Sequence, residues 1–282
     1  MTELTYALAV LSSITYGAAD FCGGLATKRS SMFSVVVFSQ LAGLILVLIA
    51  LPLLPPASPT AIDFAWGAAS GMAGGIGVAL LYRGLAVGVM SVVAPVTAVC
   101  AVIIPLIVGV LLGERPSALA MVGVAVALAA IILVSQSEDG RLRNRPPHSG
   151  VLIAIASGIA VGIFFVFLQR TGPPAGLWPL VAARVVSIAF FTITGKMARQ
   201  TLMPRRESMA IVIGGGVLDM LANILYLLAV RHGLLSIIAT VTSLYPASTI
   251  ILARIVLRER LRLVQQAGVI CAGVAIVMIV SG

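Results

Sequence analysis

The chain has 282 residues, of which 60% are hydrophobic and only 27 (18 basic plus 9 acidic) carry a formal charge. Soluble domains are typically about a quarter charged and under half apolar, so 10% charge with a mean hydropathy of +1.15 excludes that class and reads as a polytopic membrane protein. Ten spans of about 20 residues would use about 200 of them, which leaves no room for a water-soluble catalytic domain.

Apolar runs bounded by charge, Pro or Gly predict spans over 5–25, 32–53, 63–87, 91–112, 117–136, 150–169, 176–195, 209–230, 234–257 and 263–281. The first opens with an acid, Glu3, and no base, so it reads as a retained span rather than a secretion signal. Along it Ser13, Tyr16 and Asp20 recur at i, i+3 and i+7, on one helix face. In the third span Gly67, Gly71 and Gly75 recur every four residues, a small-residue face suited to close helix approach. The fourth carries Pro95, Thr97 and Pro105. After the fifth comes the longest polar stretch, which divides five spans from five.

The second half repeats the theme with more polar groups. Arg184 lies near the middle of the seventh span, and Asp219, Asn223 and Tyr226 recur at i, i+4 and i+7 along the eighth. The ninth is rich in hydroxyls, Thr240, Thr242, Ser243, Tyr245, Ser248 and Thr249, around Pro246. Such hydroxyls often satisfy their own helix backbone. Prolines in corresponding spans of two halves point to bending or unwinding beside a site. Cys22, Cys100 and Cys271 are isolated in apolar runs, without the spacing of a disulfide framework or a metal site, and read as small packing residues.

Self-similarity at one fixed offset marks a repeat. At an offset of 145, Ser91 meets Ser236, Ala94 meets Ala239, Val96-Thr97 meets Val241-Thr242 and Leu112 meets Leu257. Glu114-Arg115 meets Glu259-Arg260, and Gly123-Val124 meets Gly268-Val269. The register extends back to Gly71 and Gly216, Gly88 and Gly233, Gly17 and Gly162, and Ser12 and Ser157. The chain therefore reads as a repeat over 1–137, a polar linker over 138–149 and a second repeat over 150–282. Because five is odd, the second repeat enters the membrane from the opposite side. Inverted repeats can exchange conformations and open a central site to each face in turn, the architecture of secondary transporters.

Connections after the odd-numbered spans hold twelve Lys and Arg, against Arg115, Arg170 and Arg231 on the other side. That asymmetry places the basic loops in the cytoplasm and both termini outside. The net charge of +9 is then mostly a topology signal. It does not mark a nucleic-acid surface, because the bases are scattered over short loops with no stacking aromatics between them.

Ionisable groups inside spans suggest function by default; here they are Asp20, Arg83, Arg184, Asp219 and Arg254. Arg83 and Arg254 sit near span ends and can snorkel to the interface. Arg184 and Asp219 lie too deep for that and are expected to face a cavity or each other. An Asp–Arg pair that only joins helices is the structural alternative. A carboxylate in a partly dry cavity holds its proton more readily than in water, which would let it couple solute movement to a proton gradient. There is no G-x-x-x-x-G-K-[ST] sequence for ATP hydrolysis, and Gly75-Ile76-Gly77 lies in an apolar span rather than in a nucleotide loop. With only His148 and His232, both at loops, neither a histidine relay nor a zinc centre can be built. Two cavity carboxylates without His, Cys or a metal motif make a poor case for an enzyme.

Two elements then carry a family resemblance. P-V-T-A-V (95–99) leads to L-L-G-E-R-P-S (111–117) and Gly123, and V-T-S-L-Y-P (241–246) leads to L-R-E-R-L (257–261) and Gly268. With ten spans in two inverted halves, the chain resembles the drug/metabolite transporter superfamily, EamA type, over nearly its whole length. The resemblance implies export of amino acids, metabolites or drugs through a central cavity lined by the first four helices of each half. It also implies both termini inside, opposite to the loop charges. Tyr16-Gly17 matches the aromatic–Gly pair of the family's first helix, whereas Asp20 replaces a usually uncharged residue. Small multidrug exporters of the same superfamily use a first-helix carboxylate for protons and cations.

The expectation is an all-α integral membrane protein that acts as a secondary active transporter, exporting a small metabolite, amino acid or drug-like solute. Asp20 and Asp219 are the candidate proton or ion-coupling groups. Tyr16, Arg184, Asn223, Tyr226, Tyr245, Thr97 and Thr242 are the candidate substrate contacts. No cofactor or metal is expected, and the partners are a small-molecule substrate and the lipids of the cell membrane, with the chain a monomer or homodimer. The alternatives are an importer or uniporter of a sugar-like solute, in which the acids are structural, and a non-transporting receptor or scaffold.

Overall fold

A backbone that crosses hydrocarbon must satisfy every N–H and C=O internally, and each apolar run of this chain forms a helix. The computed structural model describes residues 2–87, 90–134, 147–257 and 262–282, with side chains except at 2, 82–95, 147–149, 253–254 and 257. Gly88, most of the linker, Glu259 and Arg260 lie outside the described residues, as do the side chains of Arg83, Pro95 and Arg254.

The first half comprises α1 (Thr2–Thr27), α2 (Met32–Ala50), α3 (Ala61–Val87), α4 (Met90–Leu111) and α5 (Ala118–Val134). The second comprises α6 (Pro147–Gln169), α7 (Trp178–Met197), α8 (Arg206–Val230), α9 (Leu235–Thr242), α10 (Tyr245–Leu257) and α11 (Leu263–Val280). No strand occurs among the described residues. Eight segments are 18 residues or longer and apolar enough to cross a membrane, α9 and the start of α10 forming one of them, Leu235–Leu252. The apolar stretches Val96–Leu111 and Ala118–Val134 are shorter. Side chains such as Leu4, Ile45, Leu152 and Ile255 are exposed on the outer faces, as lipid contact requires.

The ninth span is broken just ahead of Pro246, at 243–244. Proline has no N–H to donate and its ring clashes with the carbonyl four residues back, here Thr242. α9 ends at Thr242, Leu244 bonds back only three residues to Val241 (3.2 Å), and α10 restarts with Pro246 in its first turn. Pro105, by contrast, sits within a continuous α4, so among the described residues the fourth span has no break to match that of the ninth.

The packing is symmetric under exchange of span n with span n+5. α1 packs on α8 as α3 does on α6, α2 on α8 as α7 on α3, and α1 on α9–α10 as α6 on α4; α2 meets α7 and α5 meets α11 across the axis. Residues that repeat in the sequence do the same work in both halves. The Ser12 hydroxyl donates to the Ala222 carbonyl (2.8 Å) and the Ser157 hydroxyl to the Gly77 carbonyl (2.7 Å), both donors and both acceptors lying 145 apart. Gly71 lies on the Ala183 backbone of α7 and Gly216 on the Ser39 backbone of α2, so a Cβ at either would strike main chain. Gly123 lies on Ile279 and Gly268 on Val134 in the same reciprocal way. The chain is an all-α membrane protein of ten spans in two inverted five-helix repeats.

The L-L-G-E turn ties one half to the other. Gly113, with φ +90°, donates to the Val110 carbonyl (3.0 Å) while Glu114 N–H donates to that of Gly109 (3.0 Å), a Schellman stop to α4. The turn delivers the Glu114 carboxylate to the start of α9. There it accepts bonds from Leu235 N–H (2.6 Å), Ser236 N–H (3.0 Å) and the Ser236 hydroxyl (2.6 Å), satisfying donors that a helix N-terminus leaves orphaned.

Candidate functional site

Close crossings of α3 with α7 and of α2 with α8 leave a cavity of about 100 Å³ between the halves. Its polar groups come from α1 (Tyr16, Asp20), α2 (Gln40), α7 (Arg184, Ser187), α8 (Asp219, Asn223) and α10 (Tyr245). Glycines and apolar side chains of α3 and α6, with Leu180 and Ala183 of α7, complete the lining.

An ion pair organises one side. Arg184 donates from Nη2 to Asp219 Oδ2 at 2.6 Å and from Nη1 to the Gln40 side-chain oxygen. The guanidinium is 9% exposed and the Asp219 side chain 35%, so the carboxylate keeps one edge toward the cavity. Asn223, one turn beyond, donates to the Asp219 carbonyl (2.7 Å) and reaches its Oδ2 at 3.4 Å. Three helices thus converge on one buried cation, whose charge-assisted bonds are stronger than neutral ones.

Asp20 is in a different position. It lines the same cavity, half-buried, and among the described residues it has no hydrogen-bond or ion-pair partner. Two further cavity groups, the Tyr16 hydroxyl and the Ser187 hydroxyl, are buried without a partner among the described residues. Tyr16 packs edge-on to Phe165 with ring centres 6.5 Å apart and against Tyr245 at 6.4 Å. A buried hydroxyl normally finds a partner, so these groups are placed to bond water or a solute.

The structure brings together six of the nine residues singled out from the sequence: Tyr16, Asp20, Arg184, Asp219, Asn223 and Tyr245. Tyr226 lies outside the lining, fully buried beneath Phe165 at a ring distance of 4.5 Å, with its hydroxyl donating to the Phe165 carbonyl at 3.1 Å. Thr97 is buried at the α4–α6 contact and donates to the Ala154 carbonyl (3.2 Å). Thr242 lies at the break in the ninth span, where its hydroxyl and that of Ser243 are buried without a partner among the described residues. Thr240 donates to the Ser236 carbonyl of its own helix, and Thr249 shares its hydroxyl between the Tyr245 carbonyl of α10 and the Gly17 carbonyl of α1, each at 3.1 Å. Ser13 is buried away from the cavity.

Two polar cavity residues were not singled out, Gln40 and Ser187. Ser187 follows Arg184 by three and shares its face, and Gln40 is the one amide in a second span whose other polar residues are Ser34 and Ser39. Both signals are present but weak, since uncharged polar residues are ordinary in membrane helices.

The chain matches the EamA-like transporter family over residues 3–136 and 148–281. No curated protein matches it. A crystal structure of a protein superposes with a TM-score of 0.76 at 14% identity, covering 95% of this chain and 95% of that one. Identity that low shows a shared fold alone.

Proposed function

The chain belongs to the EamA-like transporter family, and from that premise we propose that it exports a small metabolite, amino acid or drug-like solute across the cell membrane, coupled to protons at Asp20. The repeats over 1–137 and 150–282 would rock about the cavity, with 138–149 as the connecting linker. One observation carries the reading. The cavity between the halves holds two carboxylates in unlike states, Asp219 bound to Arg184 at 2.6 Å and Asp20 without a partner among the described residues. Asp219 is already engaged by its cation, whereas the Asp20 carboxylate is left open to a proton or a solute.

The packing supports alternating access. A scaffold whose contacts exchange under n and n+5 has two equivalent arrangements, and a central site can face either side. Loop charge supports the connections after odd-numbered spans as cytoplasmic, with both termini outside. Arg231, one of three bases on the opposite side, donates to the Gly172 (3.3 Å) and Gly176 (2.7 Å) carbonyls, so it serves the structure there.

The test is a metabolite and drug panel in proteoliposomes with and without a pH gradient, comparing the natural chain with Asp20→Asn. Gradient-driven flux of at least one solute, lost in folded Asp20→Asn, is expected. Undiminished gradient-driven flux in Asp20→Asn would remove that carboxylate from coupling.

A further inference from the structure

The scaffold obeys the pseudo-two-fold, but the cavity wall does not. Four pairs of lining residues stand 145 apart: Tyr16 and Val161, Asp20 and Phe165, Asp219 and Gly74, Asn223 and Val78. In each pair the member on α1 or α8 is polar and its mate on α3 or α6 is apolar or glycine. α1 packs on α8 and α3 on α6 as symmetry-related pairs, so the two walls of one cavity have opposite character. Every side chain that α3 and α6 add to the lining is Gly, Val, Leu or Phe.

The charge is also uneven. Arg184 is engaged by Asp219 and Gln40, which leaves Asp20 as the carboxylate of the lining with no cation beside it among the described residues. A solute carboxylate would have to displace Asp219 from Arg184 and then lie near Asp20. A sugar-like polyol would leave hydroxyls unpaired against the α3–α6 wall, which is costly in a dry site.

We infer that the cavity takes a small amphipathic monocation, its ammonium group at Asp20 beside the Tyr16 and Tyr245 rings and its apolar body against the wall of α3 and α6. The carboxylate supplies a charge-assisted bond and the rings a face for the cation. The apolar wall then sets specificity, because it rewards a hydrocarbon or aromatic body and rejects a polar one. A water-sized group needs roughly 10–15 Å³, so about 100 Å³ holds a solute about the size of a simple arylalkylamine. The biological use of this site rests on the transport reading; the binding does not.

Calorimetric titration of the purified full-length chain in detergent tests it with four probes of matched size or charge: phenethylamine, 2-phenylethanol, 3-phenylpropionate and ethanolamine. Phenethylamine is expected to bind saturably and at least about tenfold more tightly than the other three, and Asp20→Asn to weaken it by about tenfold or more. Val161→Thr, which keeps the shape of the side chain but puts a hydroxyl on the apolar wall, should weaken phenethylamine several-fold and leave ethanolamine unchanged. The four probes on the natural chain decide the matter even if a variant fails to fold. Tighter binding of the alcohol, the carboxylate or ethanolamine, or no binding of phenethylamine, overturns the inference. Phenethylamine binding without flux in proteoliposomes supports this site and counts against transport. Flux of other solutes with no phenethylamine binding overturns this site and leaves transport standing.

Discussion

Asp20 and Asp219 are the same residue type in one cavity, and their neighbours make them different. Asp219 holds Arg184, a guanidinium 9% exposed, with Gln40 as the other partner. In Asp219→Asn that buried cation loses its counter-ion. Breaking a buried pair by removing one partner is strongly destabilising, but the Asp219 side chain is 35% exposed and solvent screens part of the loss. The expected cost is about 1–3 kcal/mol, read as a lower thermal midpoint in detergent at fixed scan rate. Asp20→Asn removes no partner and should stay within about 0.5 kcal/mol of the natural chain. Equal losses in the two variants would mean that Asp20 is as structural as Asp219. At this scale the sequence exposed the pair, because a charge in mid-span can neither snorkel nor stay alone. It did not reveal that Gln40 would be the second partner of Arg184, or that Tyr226 turns under Phe165 while Asp219 and Asn223, on the same helical stripe, face the cavity. Asn223 is the last lining residue on α8, and Tyr226 beyond it packs on α6 instead.

Helix by helix, the glycine positions set how closely the elements approach. Gly71 and Gly216 are symmetry mates, each with neighbouring backbone where a side chain would go. Gly71→Leu should force α3 from α7 and Gly216→Leu should force α8 from α2. Each is expected to lower stability by about 1–3 kcal/mol and to widen or deform the cavity, seen as a lower thermal midpoint with helical content retained. A glycine with open space, such as Gly214, is the control, and Gly214→Leu should have little effect. If Gly71→Leu and Gly214→Leu behaved alike, the close crossing would not matter. Span limits were legible to within a few residues, because apolar runs stop at charges and at the Pro-rich and Gly-rich turns. The break between α9 and α10 was signalled by Pro246 but not located by it. Proline suits the first turn of a helix as well as it disrupts an interior, and α4 continues through Pro105. The L-L-G-E turn read as a family signature; its physical content, a Schellman stop that aims Glu114 at the start of α9, needed the fold.

Across the whole molecule, one offset of 145 residues predicts the symmetry of the scaffold, and the structure shows where that symmetry fails. Ser12 and Ser157 bond carbonyls that are themselves 145 apart, and the paired glycines occupy reciprocal crossings. This much was readable from the sequence, because packing tolerates few residue types at a close crossing. The polarity difference between the two walls was not readable, since it requires knowing which helix faces enclose the cavity. A symmetric scaffold around one site should open that site to both sides of the membrane. Ser187 lies in the lining with an unpartnered hydroxyl, which makes Ser187→Cys, with Cys22, Cys100 and Cys271 replaced by Ala, a direct reporter. Labelled by a membrane-impermeant thiol reagent in vesicles of known sidedness, Ser187→Cys should react from both faces, with the two rates moving in opposite directions when pH or solute is changed on one side. Reaction from a single face under every condition, with loop cysteines on both faces labelling normally, would contradict alternating access through this cavity.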